Sequence, residues 1–150
     1  MQIDDAASVL AGAEFFRICT DDERRLLAFA SERKRYAEGT VIEEAGAVPT
    51  GAHVLISGSV SLLPEGAPAG TARLVNQRGA VIGVSALMIE RPRPVTITAA
   101  EVTDTLLVPR FAFLKLLNES PELVRRTAAR TRKELLDFMG ALAPLKDRIK

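Results

Sequence analysis

Between Tyr36 and Arg110 the apolar residues come in short Val, Ile and Leu runs that alternate with small polar ones, as in HVLISGSVSLL and PVTITAAEV. A period of two belongs to strands with one face buried and one face wet. Glycines at 39, 46, 51, 58, 66, 70, 79 and 83 interrupt the runs, a texture that predicts about eight short antiparallel strands. PEGAPAG, Pro64 to Gly70, reads as a loose hairpin loop. VSALM, Val84 to Met88, lacks turn residues and precedes the proline-rich ERPRP, so it predicts a short helical turn inside the β region.

Helical patterning flanks this region. Thr20 opens TDDE with Glu23 three residues on, the spacing of a capping box, and predicts a helix from Thr20 to Arg35. Leu26, Leu27, Phe29 and Ala30 fall on one side of it and are expected to face inward. After Pro109 come RFAFLKLLNES and then Pro121 behind Ser120, a suitable first-turn position for a last helix reaching about Ala143. Val124, Ala128, Thr131, Leu135, Phe138 and Leu142 recur at coiled-coil spacing along that helix. The seam predicts a homodimer through the C-terminal helix, although folding back on the strands would bury the same face. The fold class is therefore α+β, mainly β. One domain over 1–150 is expected, helical in 1–35, an antiparallel β-barrel or jelly roll in 36–110, and C-terminal helices in 110–150.

Composition narrows the function. A chain of 150 residues, 47% hydrophobic, can bury one core without disulfide or metal staples. The 20 Lys+Arg against 19 Asp+Glu give no bulk charge for nucleic-acid binding. The lone cysteine, Cys19, has no bridge partner and reads as an inert thiol in a reducing cytoplasm. Asp4 and Asp5 stand where an export signal would be basic, and no apolar run approaches the ~18 residues of a membrane span. His53 has no second histidine or nearby carboxylate at ligand spacing, so it reads as structural and no metal site is expected. RRTAARTRK, Arg125 to Lys133, reads as the solvated outer face of the last helix. Without a nucleophile triad, paired catalytic carboxylates or a P-loop, the chain is not expected to be an enzyme.

Two motifs carry a resemblance. The first is Gly39-x-x-Ile42-x-x-x-Gly46 with Ile56-Ser57-Gly58-Ser59-Val60. The second runs from Gly79 through Gly83-Val84-Ser85-Ala86-Leu87 to Pro92-Arg93-Pro94-Val95. Over roughly residues 14 to 138 the chain resembles the cyclic nucleotide-binding domain family of bacterial cyclic-AMP receptor proteins, gated channels and protein kinase regulatory subunits. The second motif is similar to that family's phosphate-binding cassette. The resemblance implies a regulatory ligand-sensing module whose contacts with cyclic AMP, cyclic GMP or a related phosphate ligand come from Gly83, Val84, Ser85, Ala86, Leu87, Arg93, Pro94 and Val95, with no further cofactor. Backbone N–H groups at the turn and an arginine fork both suit a phosphate.

The chain departs from the family at two places. Val84 stands where the family has the glutamate that accepts from the ribose hydroxyl. Losing that partner costs about 1–3 kcal/mol, so weak binding is expected. Pro94 and Val95 replace a Ser/Thr-Ala pair, which removes a hydroxyl and a backbone N–H. Arg93 is then read either as the phosphate ligand or, in a vestigial pocket, as the partner of a neighbouring carboxylate such as Glu90 or solvated at the rim. Phe138 and Met139 fall where the family contacts the base, or they belong to dimer core. Two further readings stay open: a ligand-free dimerisation or protein-interaction module, and the sensory part of a transcription regulator. Only a few residues follow Leu145, too few for a DNA-binding domain, so no direct DNA binding by this chain is expected.

Overall fold

Thr20 N donates to Glu23 Oε1 at 2.8 Å while Glu23 N donates back to Thr20 Oγ1 at 3.2 Å. This closed capping box starts helix α2 (Asp21–Ala30), which follows α1 (Ile3–Ala11) and a 3₁₀ turn at Glu14–Ile18. The structure is a computed structural model that describes residues 1–132. The seam positions Leu135, Phe138 and Leu142, and Met139, lie outside the described residues.

Eight strands follow: β1 (Glu32–Tyr36), β2 (Val41–Glu43), β3 (Gly51–Ser57), β4 (Val60–Pro64), β5 (Arg73–Val75), β6 (Val81–Ile82), β7 (Val95–Ala99) and β8 (Thr103–Pro109). They form two antiparallel four-stranded sheets ordered β1-β8-β3-β6 and β2-β7-β4-β5. Successive strands alternate between the sheets except for the β4–β5 hairpin, which stays in one sheet; this is jelly-roll connectivity. The Pro64 to Gly70 loop joins β4 to β5, and a 3₁₀ turn at Val84–Leu87 interrupts the β region where the sequence predicts one. Helix α3 (Arg110–Glu119) leads to α4, which covers residues 121–132. Ser120 Oγ caps α4 by accepting from Leu123 N at 3.1 Å.

Two local expectations are corrected. Helix α2 ends at Ala30, and β1 occupies Glu32–Tyr36 within the stretch read as helical. The register Glu32↔Leu107 through Tyr36↔Thr103 gives this charged segment backbone partners that its own sequence does not announce. Arg33 Nη2 also donates to the largely buried Asp104 at 2.9 Å. Leu26 and Phe29 are exposed, at 59% and 76%, and the inward face of α2 is Leu27 and Ala28. Packing against α1 sets that rotation, and the helix's own apolar periodicity does not.

The core has two parts. The larger lies between the helices and sheet β1-β8-β3-β6, built around Leu10, Phe16, Leu27, Val54, Leu106, Val108 and Phe113. Phe15 lies edge-on to Phe16 and tilted against Phe113, with ring centroids 5.1 and 5.8 Å apart. The smaller cluster, Val60, Ile82 and Ile97, fills the space near the second sheet. On α4, Leu123 and Thr127 are buried, while Val124, Ala128 and Thr131 are exposed.

The basic stretch is also corrected, because only part of it is a wet face. Arg126 donates to the Ile18 carbonyl at 2.6 Å and to Glu23 at 2.7 Å. Arg130 lies 5.3 Å from the Phe15 ring centroid and 3.8 Å from Glu14. These two arginines tie α4 to the N-terminal helices, and Arg125 and Arg132 are exposed. Among the described residues no helix is long and apolar enough to cross a membrane.

Candidate functional site

The Val84–Leu87 turn depends on Gly83, whose φ of 87° and ψ of 39° are left-handed. A side chain there is strained by its backbone alone. Space forbids it as well, since a Cβ would lie 2.5 Å from Arg93 Nη1. The turn closes through Ala86 N to Gly83 O at 2.9 Å and Met88 N to Ser85 O at 3.1 Å. Ala86 and Leu87 are buried and anchor it, and Ser85 faces outward. Arg110, the first residue of α3, donates to the Ala86 carbonyl at 3.1 Å and the Pro49 carbonyl at 2.8 Å. The cassette is thereby fixed to the C-terminal helices.

Arg93 reaches Gly83 from the far end of the cassette. Its backbone is held on both sides, Gly46 N to Arg93 O at 2.8 Å and Arg93 N to Ala47 O at 3.1 Å. Thr96 Oγ1 accepts from Ala45 N at 3.1 Å, so the 43–47 turn is stitched to 93–96. Pro94 supplies no donor, but its carbonyl accepts from Glu65 N at 2.8 Å, and Val95 opens β7 opposite Pro64.

The neighbouring carboxylate is Glu43, and the expectation of Glu90 is corrected. Glu90 lies 3.8 Å from Arg110. Arg93 Nη1 lies 3.7 Å from Glu43 Oε2, and the two side chains are 20% and 14% exposed. That distance attracts charge to charge but is too long for a hydrogen bond. Glu43 Oε2 and Arg93 Nη1 are both buried without a hydrogen-bond partner among the described residues. Buried charged atoms in that state are costly, and an anion that displaced Glu43 from Arg93 would satisfy the guanidinium.

His53 Nε2 lies 3.5 Å from the other Glu43 oxygen, and its Nδ1 is 2.9 Å from Thr105 Oγ1. Tyr36 stands edge-on to His53 with centroids 6.2 Å apart. Burial first, then the Glu43 and Glu32 carboxylates, raise the Tyr36 phenol above its ordinary value, and a hydrogen bond with Thr105 opposes them. Four strands thus converge on a polar row, Tyr36, Thr105, His53 and Glu43, that ends at Arg93.

Sequence reasoning missed Glu43 and Arg110 and gave His53 no polar partner. A β-bulge explains the first omission. Val41 pairs with Thr98 and Glu43 with Ile97, leaving Ile42 as the extra residue, so side-chain alternation breaks one residue before Glu43. Its place inside Gly39-x-x-Ile42-x-x-x-Gly46 was the available signal. Val84 packs against the larger core and borders a cavity whose lining includes neither Glu43 nor Arg93.

The fold and the site together define a jelly-roll module whose 3₁₀ turn follows a left-handed glycine and faces an inward arginine. The family model for the cyclic nucleotide-binding domain matches residues 33–120. The chain belongs to the cyclic nucleotide-binding domain family.

Solved structures agree on the fold. A Ruegeria pomeroyi DSS-3 protein assigned as cyclic nucleotide binding is 21% identical with a TM-score of 0.76, over 95% of this chain and 63% of that one. The sensor domain of the transcriptional regulator DNR from Pseudomonas aeruginosa is 16% identical at TM-score 0.75, over 92% and 93% of the two chains. The regulatory domain of Toxoplasma gondii PKA, solved with cAMP, is 21% identical at 0.66, over 85% and 50%. The chain spans under two thirds of the Ruegeria protein's length. No curated protein sequence gives a significant match.

Proposed function

We propose that this chain is a regulatory ligand-sensing module that binds a cyclic nucleotide, cyclic AMP or cyclic GMP, or a related phosphate ligand, and binds it weakly. The observation that carries the reading is the Arg93 guanidinium seated against Gly83 with a buried, unsatisfied Nη1. The phosphate takes the place of the Glu43 carboxylate at Arg93, beside the backbone of the Gly83–Leu87 turn, while Pro94 and Val95 shape the rim. Weakness has two sources. Val84 offers no acceptor to a ribose hydroxyl, and Glu43 competes for Arg93 from within.

Cassette movement reaches α3 through Arg110, which touches the turn at Ala86 and starts that helix. A ligand shifts the helices only as far as it binds one arrangement better than the other. The module acts without catalysis in the cytoplasm and dimerises through the exposed Val124, Ala128 and Thr131 stripe of α4. In this reading the chain is the sensing part of its system, and DNA contact, where a regulator needs it, comes from elsewhere. The same Glu43–Arg93 pair favours a second reading, in which the pocket is occupied by its own carboxylate and the module only dimerises.

Calorimetric titration with cyclic AMP and cyclic GMP, on protein stripped of co-purified nucleotide, separates the two. Saturable binding is expected. Arg93→Ala should weaken it about a hundredfold or more, the loss of two charge-assisted hydrogen bonds. Binding that ignores Arg93→Ala would reject the cassette mechanism, and no binding by any variant would favour the ligand-free module.

A further inference from the structure

We infer that a second cavity, bounded by Arg17, Arg78 and Arg130, is a binding site for a small organic anion carrying at least two negative groups. It lies between the Glu14–Ile18 turn, the β5–β6 turn and α4, and Val84 forms part of its wall. Its volume is about 340 Å³, within the range of pockets that enclose small metabolites. Three guanidinium side chains line it against one carboxylate, Glu14. Glu14 lies 3.8 Å from Arg130, and among the described residues no carboxylate pairs with Arg17 or Arg78. Two positive charges thus converge on one concave space beyond those already balanced there. Forked guanidinium donors suit carboxylate and phosphoryl oxygens.

The site is built on anchored parts. The β5–β6 turn is fixed to β3 by Gly79 N to Leu55 O at 2.8 Å and Leu55 N to Ala80 O at 2.9 Å. Gly79, at φ 87°, is pressed so close to α1 that a Cβ would sit 2.7 Å from Gly12 O. Arg78 therefore projects from a turn that cannot back away. Arg130 is oriented by the Phe15 ring beneath it. Phe15, Val81 and Val84 add apolar wall for the body of an organic ligand. Since N-terminal segment, sheet turn and α4 all border the cavity, a bound anion cross-links the three elements.

The test titrates pyrophosphate and citrate, at constant ionic strength, into Arg93→Ala protein so that the cassette does not compete. Pyrophosphate represents phosphoryl ligands and citrate carboxylate ligands. One-to-one saturable binding of at least one is expected, with amide shifts in two-dimensional NMR concentrated at Gly12–Arg17 and Gln77–Val81. Adding Arg17→Ala and Arg78→Ala, both at exposed positions, should weaken it about tenfold or more. Arg91→Ala, an exposed arginine outside the cavity, should leave it unchanged. No saturable binding of either anion, equal loss with Arg91→Ala, or shifts confined to Gly83–Val95 would overturn the site. Because Arg93 is absent throughout, the outcome is independent of cyclic nucleotide binding.

Discussion

At the residue scale, Glu43 and Gly83 both constrain Arg93 Nη1. Glu43→Gln keeps the shape and removes the competing charge, so cyclic nucleotide affinity should rise about three- to tenfold in calorimetry; an unchanged or lower affinity would mean that Glu43 helps to position Arg93. Gly83→Ala places a methyl in a left-handed backbone and against Arg93 Nη1. It should cost about 1–2 kcal/mol, lower Tm by roughly 3–6 °C and weaken binding, which thermal melts and titration read separately. At Cys19, burial, followed by the Glu23 charge, pushes the thiol from 9.0 up to about 12. The thiol therefore stays protonated at pH 8, and an aromatic disulfide reagent should label it only in denaturant. The linkage sign follows. The unfolded thiol ionises more readily, so its contribution to stability is intact below pH 9.0 and is lost as pH rises towards 12.

Helix α2 shows at the element scale how local and tertiary information divide. Its start was legible because a capping box needs only Thr20 and Glu23 at fixed spacing. Thr20→Ala should cost about 1 kcal/mol and roughly 3 °C of Tm, measurable by circular dichroism. Its end was not legible, because β1 owes its conformation to hydrogen bonds from β8, some seventy positions away along the chain. The cassette divides in the same way. Gly83, the short turn and Arg93 announce themselves by residue type and order. Glu43 does not, since a bulge in β2 and a long-range approach set its position.

For the whole molecule, α4 is the element through which the proposed dimer would form. Its inner face, Leu123 and Thr127, packs on the domain, and its outer stripe stays exposed. Introducing Val124→Glu with Ala128→Glu puts charge on the outer stripe alone. Light scattering should then give a monomer with unchanged circular dichroism, and an undiminished dimer mass would move the interface elsewhere. Arg126 and Arg130 hold the same helix to Glu23 and Glu14, so its angle to the sheets is set partly by ion pairs that the basic run, read linearly, assigns to solvent.

The sequence by itself determined the jelly-roll class, the flanking helices, the cassette turn and Arg93. The antiparallel strands, the short turn and the helix start follow from short-range rules, period-two alternation, turn chemistry and capping, whereas the cassette and Arg93 were legible only through the resemblance to the cyclic nucleotide-binding family. Only the tertiary structure decided that Leu26 and Phe29 face outward, that Arg93 meets Glu43 rather than Glu90, and that Val84 borders a separate cavity beside Arg17, Arg78 and Arg130. The physical reason is that burial and charge pairing depend on which distant strands and helices converge, and local periodicity holds no information about the far side of a contact.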